Sequence, residues 1–402
     1  MHASRSVNAW HIPMAGRDPH EPHRTSTPLE LLFDLCFVVA VAQAAGALHH
    51  DLAEGAIGHG LVSYLIVFFA IWWPWVNFTW FASAYDTDDV LYRLLTFVQI
   101  GGVLVVTAGV PSAFESLDFS IMVVGYVIMR IALVAQWLRV AHEDPSRRTT
   151  ALRFAIGIGI IQLGWVARLI LGAPLGLAGI LLLGVLEMAV PVWAERSGRP
   201  TPWHPGHVAE RYGLFTIIVL GECVLAATTA IQSAMAAGGV SWELLVVAFG
   251  GLLLVLGLWW SYFKHPASVG DQERIRSAFE WGYGHYVVFA AVAALGAGLQ
   301  VAVDTTHGAA NLPATTASLT VAVPLVVYLA ASAVLHRANL PRDLAVLIGI
   351  TAPLILVAAA AASWVGVPLA ILAMGLLLAI EVAISLVIIN REGVPVARAS
   401  SD

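Results

Sequence analysis

Charged side chains interrupt the apolar run between residues 207 and 223, which reads HVAERYGLFTIIVLGEC. Glu210 and Arg211 open the apolar part of this run, and Glu222 follows eleven residues after Arg211. A carboxylate near the middle of a bilayer costs on the order of 2.5 to 3.5 kcal/mol, so it needs a partner or a functional role. Eleven residues at about 100° each return to nearly the same face of a helix. We therefore expect Arg211 and Glu222 to share a stripe that faces protein or water rather than lipid.

Five charged residues are expected deep in apolar segments, namely Arg130, Arg168, Glu187, Glu222 and Glu381. Because arginine stays protonated, each of the two arginines should recruit a carboxylate. Two such pairs leave one acid without a fixed basic partner, and that acid then holds a proton or attracts a mobile cation. His285 is the candidate to share this proton. The set predicts an ion-coupling site, and the alternative is an inert network that only fixes helix packing.

A second group of charges is predicted near the cytoplasmic rim. Glu30 and Asp34 are four residues apart, so they share one face of the first helix. We interpret Glu30, Asp34, Glu210 and Arg211 as a cytoplasmic gate whose members exchange partners between open and closed states. The alternative for Glu30 is a solvated helix start, where an acid interacts favourably with the helix dipole.

The second helix is rich in tryptophan. Trp72, Trp75 and, less closely, Trp80 share one of its sides, and Pro74 is placed to kink it. Ring faces on one side suit the lining of a path for an organic cation. Packing against lipid and an interfacial belt are the alternative roles, and both are common for tryptophan.

The composition places these residues in a membrane protein. The chain has 402 residues, of which 59% are hydrophobic and 11% charged, and its mean hydropathy is +0.82. These values lie outside the usual range of soluble domains. The two cysteines, Cys36 and Cys223, lie in apolar runs, which excludes the disulfide framework of a secreted domain.

Twelve apolar runs have about the length that a spanning helix needs. They cover residues 29–48, 58–82, 92–110, 119–141, 151–172, 175–194, 210–231, 241–263, 280–303, 315–336, 342–363 and 367–390. All arginines and the lysine outside these runs, or near their ends, fall in the even-numbered loops and the two tails. The positive-inside rule then predicts cytoplasmic N- and C-termini. The fold class is an all-α polytopic membrane protein with twelve transmembrane helices.

The two halves of the chain resemble each other. Glu30 opens the first helix as Glu210 opens the seventh, and Glu187 sits in the sixth as Glu381 sits in the twelfth. We infer a six-plus-six repeat of parallel topology with a pseudo-two-fold axis along the membrane normal. The alternative is that apolar helices resemble one another by composition. The predicted organisation starts with a disordered tail at residues 1–28 and a first repeat at 29–196. A linker at 197–209 leads to a second repeat at 210–390, and a second tail covers 391–402.

Several motifs together resemble one bacterial family. They are TPLELLFDL at residues 27–35, WF at 80–81 followed by YDTDD at 85–89, ERYGLFTIIVLGE at 210–222, and GHY at 284–286. This pattern is similar to that of the bacterial low temperature requirement protein A (LtrA) family and spans most of the chain. The resemblance implies an integral membrane protein linked by name to growth in the cold, without a settled biochemical activity.

Three classes of function remain open. The buried acids and the absence of a Walker motif favour a proton- or cation-coupled secondary transporter with the buried carboxylates as its coupling site. The first alternative is a structural, stress-related or sensory membrane protein without transport. The second is an intramembrane enzyme acting on a lipid or a quinone through His285 and Glu280, and enzymatic activity is the less favoured expectation.

The expected partners are the lipid bilayer and a small molecule or ion that the sequence does not identify. We predict no nucleic acid partner and no cofactor. We also predict no metal site, because Asp86, Asp88 and Asp89 lack the glycine of a calcium loop. A homo-oligomer is left open. The expected location is the bacterial cytoplasmic (inner) membrane, which the chain would cross many times.

Overall fold

A computed structural model describes residues 10–21, 24–172, 176–196, 198–264, 275–310, 312–337 and 340–392. The secondary structure in these ranges is helical, without a β-strand. The all-α fold predicted from the apolar runs is therefore confirmed.

Thirteen α-helices follow one another within the described ranges. They are α1 (Pro28–Ala53), α2 (Ile57–Tyr85), α3 (Val90–Ala108), α4 (Val110–Ser116), α5 (Ser120–Glu143), α6 (Arg148–Ile170), α7 (Gly176–Glu195), α8 (Pro205–Gly238), α9 (Trp242–Phe263), α10 (Ile275–Asp304), α11 (Ala314–Leu335), α12 (Arg342–Val365) and α13 (Val367–Glu392). Before α3 and α9, a short polar side chain accepts a backbone N–H group that lacks an intrahelical partner. Asp89 accepts from Tyr92 at 2.9 Å before α3, and Ser241 accepts from Leu244 at 3.1 Å before α9.

Twelve helical segments in the described part of the chain are long and apolar enough to cross a membrane. Each coincides with one predicted span. The third consists of α3 and α4 together and runs over Val90–Ser116, beyond the predicted end at residue 110. The helix is interrupted at Gly109 and resumes with Pro111 in its first turn, because proline has no N–H with which to continue the hydrogen-bond ladder.

The chain divides into two compact units. The first comprises the described residues up to Ala40 together with Ala70–Arg211, and the second comprises Val41–Phe69 and the described residues from Tyr212 onward. In the first unit α5 packs on α3 and α6, and α6 packs on α7; in the second, α10 packs on α11, and α13 packs on α9 and α12. The predicted division into tails, repeats and a linker stays a prediction, as does the duplication itself.

Glycines allow the closest helix contact in the first unit. A Cβ atom added to Gly102 of α3 would lie 2.7 Å from the carbonyl oxygen of Gly125 in α5, and one added to Gly125 would lie 2.6 Å from the carbonyl oxygen of Gly102. Both distances are shorter than a van der Waals contact. Small residues that let backbones touch are typical of helix packing in membranes, where no hydrophobic effect drives helices together.

Residues 10–21 pack against the connection between α2 and α3 and the end of α5. Met14 is fully buried. The N–H of Ile12 donates to Asp89 at 2.8 Å, and the N–H of Met14 donates to Glu143 at 2.6 Å. Arg139 of α5 joins these contacts, because it donates to both carboxylate oxygens of Asp89 and to the carbonyl of Ile12.

The predicted disorder of residues 1–28 stays a prediction, although the described part of this segment makes the contacts given above. Carboxylates at the helix ends supply acceptors for its backbone, and hydrophobicity patterns do not show such contacts. Residues 1–9 and 22–23 of the predicted N-terminal tail, and residues 393–402 of the C-terminal one, lie outside the described residues.

The glycine contact leads to a prediction with an internal control. Gly102→Ala should lower the free energy of unfolding by about 1–3 kcal/mol, because its Cβ would overlap the backbone of α5. The neighbouring Gly101 has nothing within 4 Å of an added Cβ, so Gly101→Ala should leave stability unchanged or raise it. Thermal unfolding of both variants in detergent measures this difference. Equal stability of the two variants would contradict the close contact.

Candidate functional site

Arg211 is the centre of a buried polar cluster in the first unit. Its Nε donates to Asp34 Oδ2 at 3.0 Å and its Nη2 to Asp34 Oδ1 at 2.5 Å, while Nη1 lies 3.1 Å from Glu30 Oε1. His207 Nε2 approaches Glu30 Oε2 at 3.2 Å, and the indole N–H of Trp75 donates to Asp34 at 2.7 Å. All five side chains are buried. We call this set the α1–α8 cluster.

The start of α1 helps to fix Glu30. Glu30 Oε2 accepts from the N–H of Thr27 at 2.8 Å, and Thr27 Oγ1 accepts from the N–H of Glu30 at 3.3 Å. This reciprocal arrangement is a capping box. Glu30 therefore combines the predicted role of a helix start with a contact to Arg211, and it is buried rather than solvated.

The structure brings together three of the four predicted gate residues. Glu30, Asp34 and Arg211 are in direct contact. Glu210 points elsewhere and accepts from the N–H of Ser26 at 3.2 Å. His207 is a further member of the cluster that the charge pattern does not predict, although it lies four residues before Arg211 and hence on the same helix face.

Glu187 of α7 is the centre of a second buried cluster in the first unit. Its Oε2 accepts from Arg130 Nη2 at 3.1 Å and from the indole N–H of Trp73 at 2.9 Å. Its Oε1 accepts from Gln162 Nε2 at 3.2 Å. Tyr126, one turn before Arg130, accepts from the same Nη2 at 2.8 Å. Arg130 and Glu187 thus form one of the ion pairs expected from the sequence.

Arg168 does not form the second expected pair. Its Nη2 donates to the carbonyl of Gly176, at the start of α7, at 3.1 Å, and no carboxylate lies within 4.0 Å of it in the described residues. Arg168 lies in the last turn of α6, where backbone carbonyls are the nearest acceptors.

Lys264 supplies the second fixed cation instead, in the second unit. It directly follows α9, and its Nζ lies 3.1 Å from both Glu381 Oε1 and Ser385 Oγ of α13. The side chain is buried although the residue was expected at a cytoplasmic helix end. The four-carbon chain of lysine accounts for this difference, because it can carry the amino group back along the apolar surface.

Glu222 of α8 has no ion pair within the described residues. Its residue surface is 6% exposed, and its Oε2 has no hydrogen-bond partner. The next residue, Cys223, donates to the carbonyl of Val292 in α10 at 3.1 Å. Glu222 therefore lies on a helix that packs against protein, yet its charge has no partner there.

His285 does not contact a carboxylate in the described part of the chain. Its Nδ1 lies 2.7 Å from the carbonyl of Trp281, which can only accept, so Nδ1 carries the proton. Its Nε2 lies 3.2 Å from the hydroxyl of Tyr262, and the ring packs edge-on against Tyr212. In this structure His285 is therefore not in contact with a buried glutamate, and its role in sharing a proton stays a prediction.

The tryptophans of α2 lie in the protein interior. Trp72 and Trp75 are fully buried, so an interfacial belt does not explain them. Trp80 is half-buried and packs edge-on against Trp203 at 4.9 Å between ring centroids. A cation path lined by these rings stays a prediction.

The three loop aspartates bind separate protein partners. Asp88 pairs with Arg93 at 2.7 Å, and Asp89 pairs with Arg139 at 2.5 Å. Asp86 is buried, and burial raises the pKa of its carboxyl to about 6, with Glu30 adding to the increase and Arg24 opposing it. Within the described residues, no group of three histidine, cysteine or acidic side chains is placed to hold a metal ion.

The described part of the chain contains twelve helices that are long and apolar enough to span a membrane, with buried ion pairs between some of them, and this combination defines a multi-pass membrane protein. The profile of the bacterial low temperature requirement A protein (LtrA) family matches residues 25–388. The chain therefore belongs to this family, as the motifs in the sequence indicated. A protein of Rhizobium meliloti (strain 1021), described as uncharacterized, is 28% identical over 283 residues, which cover 65% of this chain and 67% of that protein. No solved structure matches the chain significantly.

The α1–α8 cluster leads to a stability prediction. Arg211→Met leaves two buried carboxylates without their cation and should cost about 3–5 kcal/mol of stability. Adding Glu30→Gln and Asp34→Asn should restore much of that loss, because the uncompensated charges disappear. Arg93→Met, which breaks an exposed pair, is the control and should change little. Unfolding in detergent measures all four proteins, and an Arg211→Met variant as stable as wild type would contradict the assignment.

Asp86 leads to a pH prediction. An acid whose folded pKa is raised binds more protons in the folded than in the unfolded state, so its ionisation destabilises the fold as the pH rises from about 4 to about 6. Asp86→Asn should therefore stabilise the protein at about pH 7.5 by up to about 3 kcal/mol and lose this advantage at about pH 4.5. Apparent melting temperatures at both pH values test this. A difference that is the same at both would rule out burial of the charge as its cause.

Proposed function

We propose that this chain is a proton- or cation-coupled secondary transporter of the bacterial cytoplasmic membrane, with Glu222 as its coupling carboxylate. One observation carries the proposal. Of the three deep glutamates, Glu187 and Glu381 each have a basic group at 3.1 Å, whereas Glu222 has none among the described residues. The sequence predicted such a residual acid, and the distribution of ion pairs favours Glu222 for it.

An unpaired carboxylate in a medium of low polarity is suited to reversible binding. Its ionised form is poorly stabilised there, so it binds a proton or a mobile cation and releases it when its surroundings become wetter. A carboxylate that is locked to arginine or lysine cannot do this without breaking the pair. Glu222 is buried, whereas Gly221 and Val224 of the same helix turn are exposed. Its side chain therefore faces protein rather than the exposed surface of α8.

The α1–α8 cluster is a second group of side chains, in the first unit, whose protonation could change during the proposed cycle. With both carboxylates ionised and His207 neutral, the cluster carries one negative charge in excess of Arg211. Protonation of His207, or of one carboxylate, would remove that excess. Because each member contacts another, a change in one protonation state changes the hydrogen bonds of its neighbours. This behaviour suits the gate that Glu30, Asp34 and Arg211 would form in the proposed cycle.

A structural or sensory role is the second candidate, and the locked pairs favour it. Arg130–Glu187 and Lys264–Glu381 have the geometry of permanent contacts that hold helices together. A protein that used its buried charges only in this way would carry no solute. Glu222 would then have no function that depends on its charge.

The experiment measures proton movement in proteoliposomes that contain a pH-sensitive dye. Amino acids, organic cations, sugars and inorganic cations are added one at a time to wild-type protein. We expect at least one solute to drive proton flux, and we expect Glu222→Gln to abolish that flux while the protein remains folded. The reason is that a glutamine amide cannot take up and release a proton in this range.

Glu243→Gln provides the matched control, because Glu243 is an exposed acid at the start of α9 in the same unit. This variant should transport like wild type. Wild-type flux in Glu222→Gln would remove Glu222 from the mechanism. Absence of solute-dependent proton flux in the wild type across the panel would exclude proton coupling, and absence of solute uptake as well would favour the structural role.

A further inference from the structure

Four arginines crowd the adjoining ends of α6 and α7 in the first unit. They are Arg148, Arg153, Arg196 and Arg199, and we call them the α6–α7 arginine patch. The two segments that carry them are in contact: Thr150 Oγ1 donates to the carbonyl of Arg199 at 2.9 Å, and Arg153 Nη1 reaches the carbonyl of Trp193 at 3.4 Å. Four positive charges are thus held at the same end of one helical hairpin.

These arginines differ from most other cations of the chain in having no acidic partner. None of the four has a carboxylate within 4.0 Å among the described residues. Nine other described cations do have one, namely Arg17, Arg24, Arg93, Arg130, Arg139, Arg147, Arg211, Lys264 and Arg337. Unpaired cations therefore concentrate in this patch.

The nearby acids are already engaged. Asp144 lies 3.1 Å from Arg147, and Glu195 accepts from the hydroxyl and the N–H of Thr201 at 2.6 and 3.1 Å. Neither is bound to a member of the patch. Like charges on adjoining segments repel each other, so an external anion bound between them would relieve that repulsion.

The surroundings of the patch fit a lipid. Next to it, α6 exposes Ile156 and Ile160, and α7 exposes Val185, as expected of surfaces that face hydrocarbon. Trp193, at the same end of α7, is 44% exposed, and the guanidinium of Arg153 lies 5.1 Å from its ring centroid. Exposed tryptophan and arginine at a helix end mark the level of the headgroups.

We propose that the α6–α7 arginine patch binds the phosphate headgroup of an anionic phospholipid, whose acyl chains lie along the apolar surface of α6 and α7. The half-buried Arg153, held against Trp193, positions one guanidinium at the membrane boundary. Arg148, Arg196 and Arg199 are exposed and supply the remaining charge for phosphate oxygens, to which guanidinium groups donate well. Clusters of basic residues beside a transmembrane helix are a known basis for such recognition. This inference does not depend on the proposed transport function.

The test compares lipid binding by the purified full chain in detergent. Phosphatidylglycerol and phosphatidylcholine with identical acyl chains are titrated, and binding is followed by native mass spectrometry and by the shift in melting temperature. We expect tighter binding of phosphatidylglycerol, and a roughly 100-fold loss of that affinity in Arg148→Gln/Arg196→Gln/Arg199→Gln. The variant Arg93→Gln is the control and should bind like wild type, because Arg93 already has an acidic partner.

Three results would overturn the proposal. They are equal affinity for the two lipids, unchanged affinity in the triple glutamine variant, and displacement of the lipid by inorganic phosphate at equal concentration, which would indicate a site for free anions. If the triple glutamine variant does not fold, the proposal is tested with the variant in which the same three arginines are replaced by lysine, and with the salt dependence of lipid binding by the wild type. Preserved binding by the lysine variant, together with weakening in salt, supports the site, and binding by wild type that is insensitive to salt contradicts it.

Discussion

The exclusion of water from the membrane interior is the constraint on which this structure depends. A charge there is stabilised when another group of the protein meets it. Three buried ion pairs of the described residues provide this, whereas Glu222 lacks such a partner there. Arg130 meets Glu187, Lys264 meets Glu381, and Arg211 meets Asp34. The partners are 57, 117 and 177 residues apart in the sequence. Each pair therefore fixes which helices must be neighbours, a choice that apolar packing alone leaves weakly specified.

Much of the fold was predictable from the sequence, because the length of a spanning helix and the cost of a buried charge are general. The apolar runs located the twelve long helices of the described residues, and the rule that a buried arginine recruits a carboxylate anticipated the contact of Arg130 with Glu187. The same rule failed for Arg168, since it sits in the last turn of α6 and finds a backbone carbonyl instead.

The sequence could not show where long side chains point or which distant segments come into contact. Lys264 follows the end of α9, outside the predicted apolar run, yet its side chain turns towards Glu381. The role of His207 depends on the position of α1 relative to α8, which periodicity does not give. Residues 10–21 have the composition of a disordered tail, but their backbone donates to Asp89 and Glu143. In all three cases the position of the residue depends on contacts between segments that are distant in the sequence.

Lys264 is the only lysine in the chain. Its buried amino group is hydrogen-bonded to Glu381 and Ser385. Apart from the N-terminus, the protein thus has a single primary amine, and that amine is nucleophilic only when it is both deprotonated and accessible. Acylating reagents and acetylating enzymes can therefore reach it only when the contact between α9 and α13 opens. The reactivity of one nitrogen becomes a direct measure of how often the second unit opens at this point.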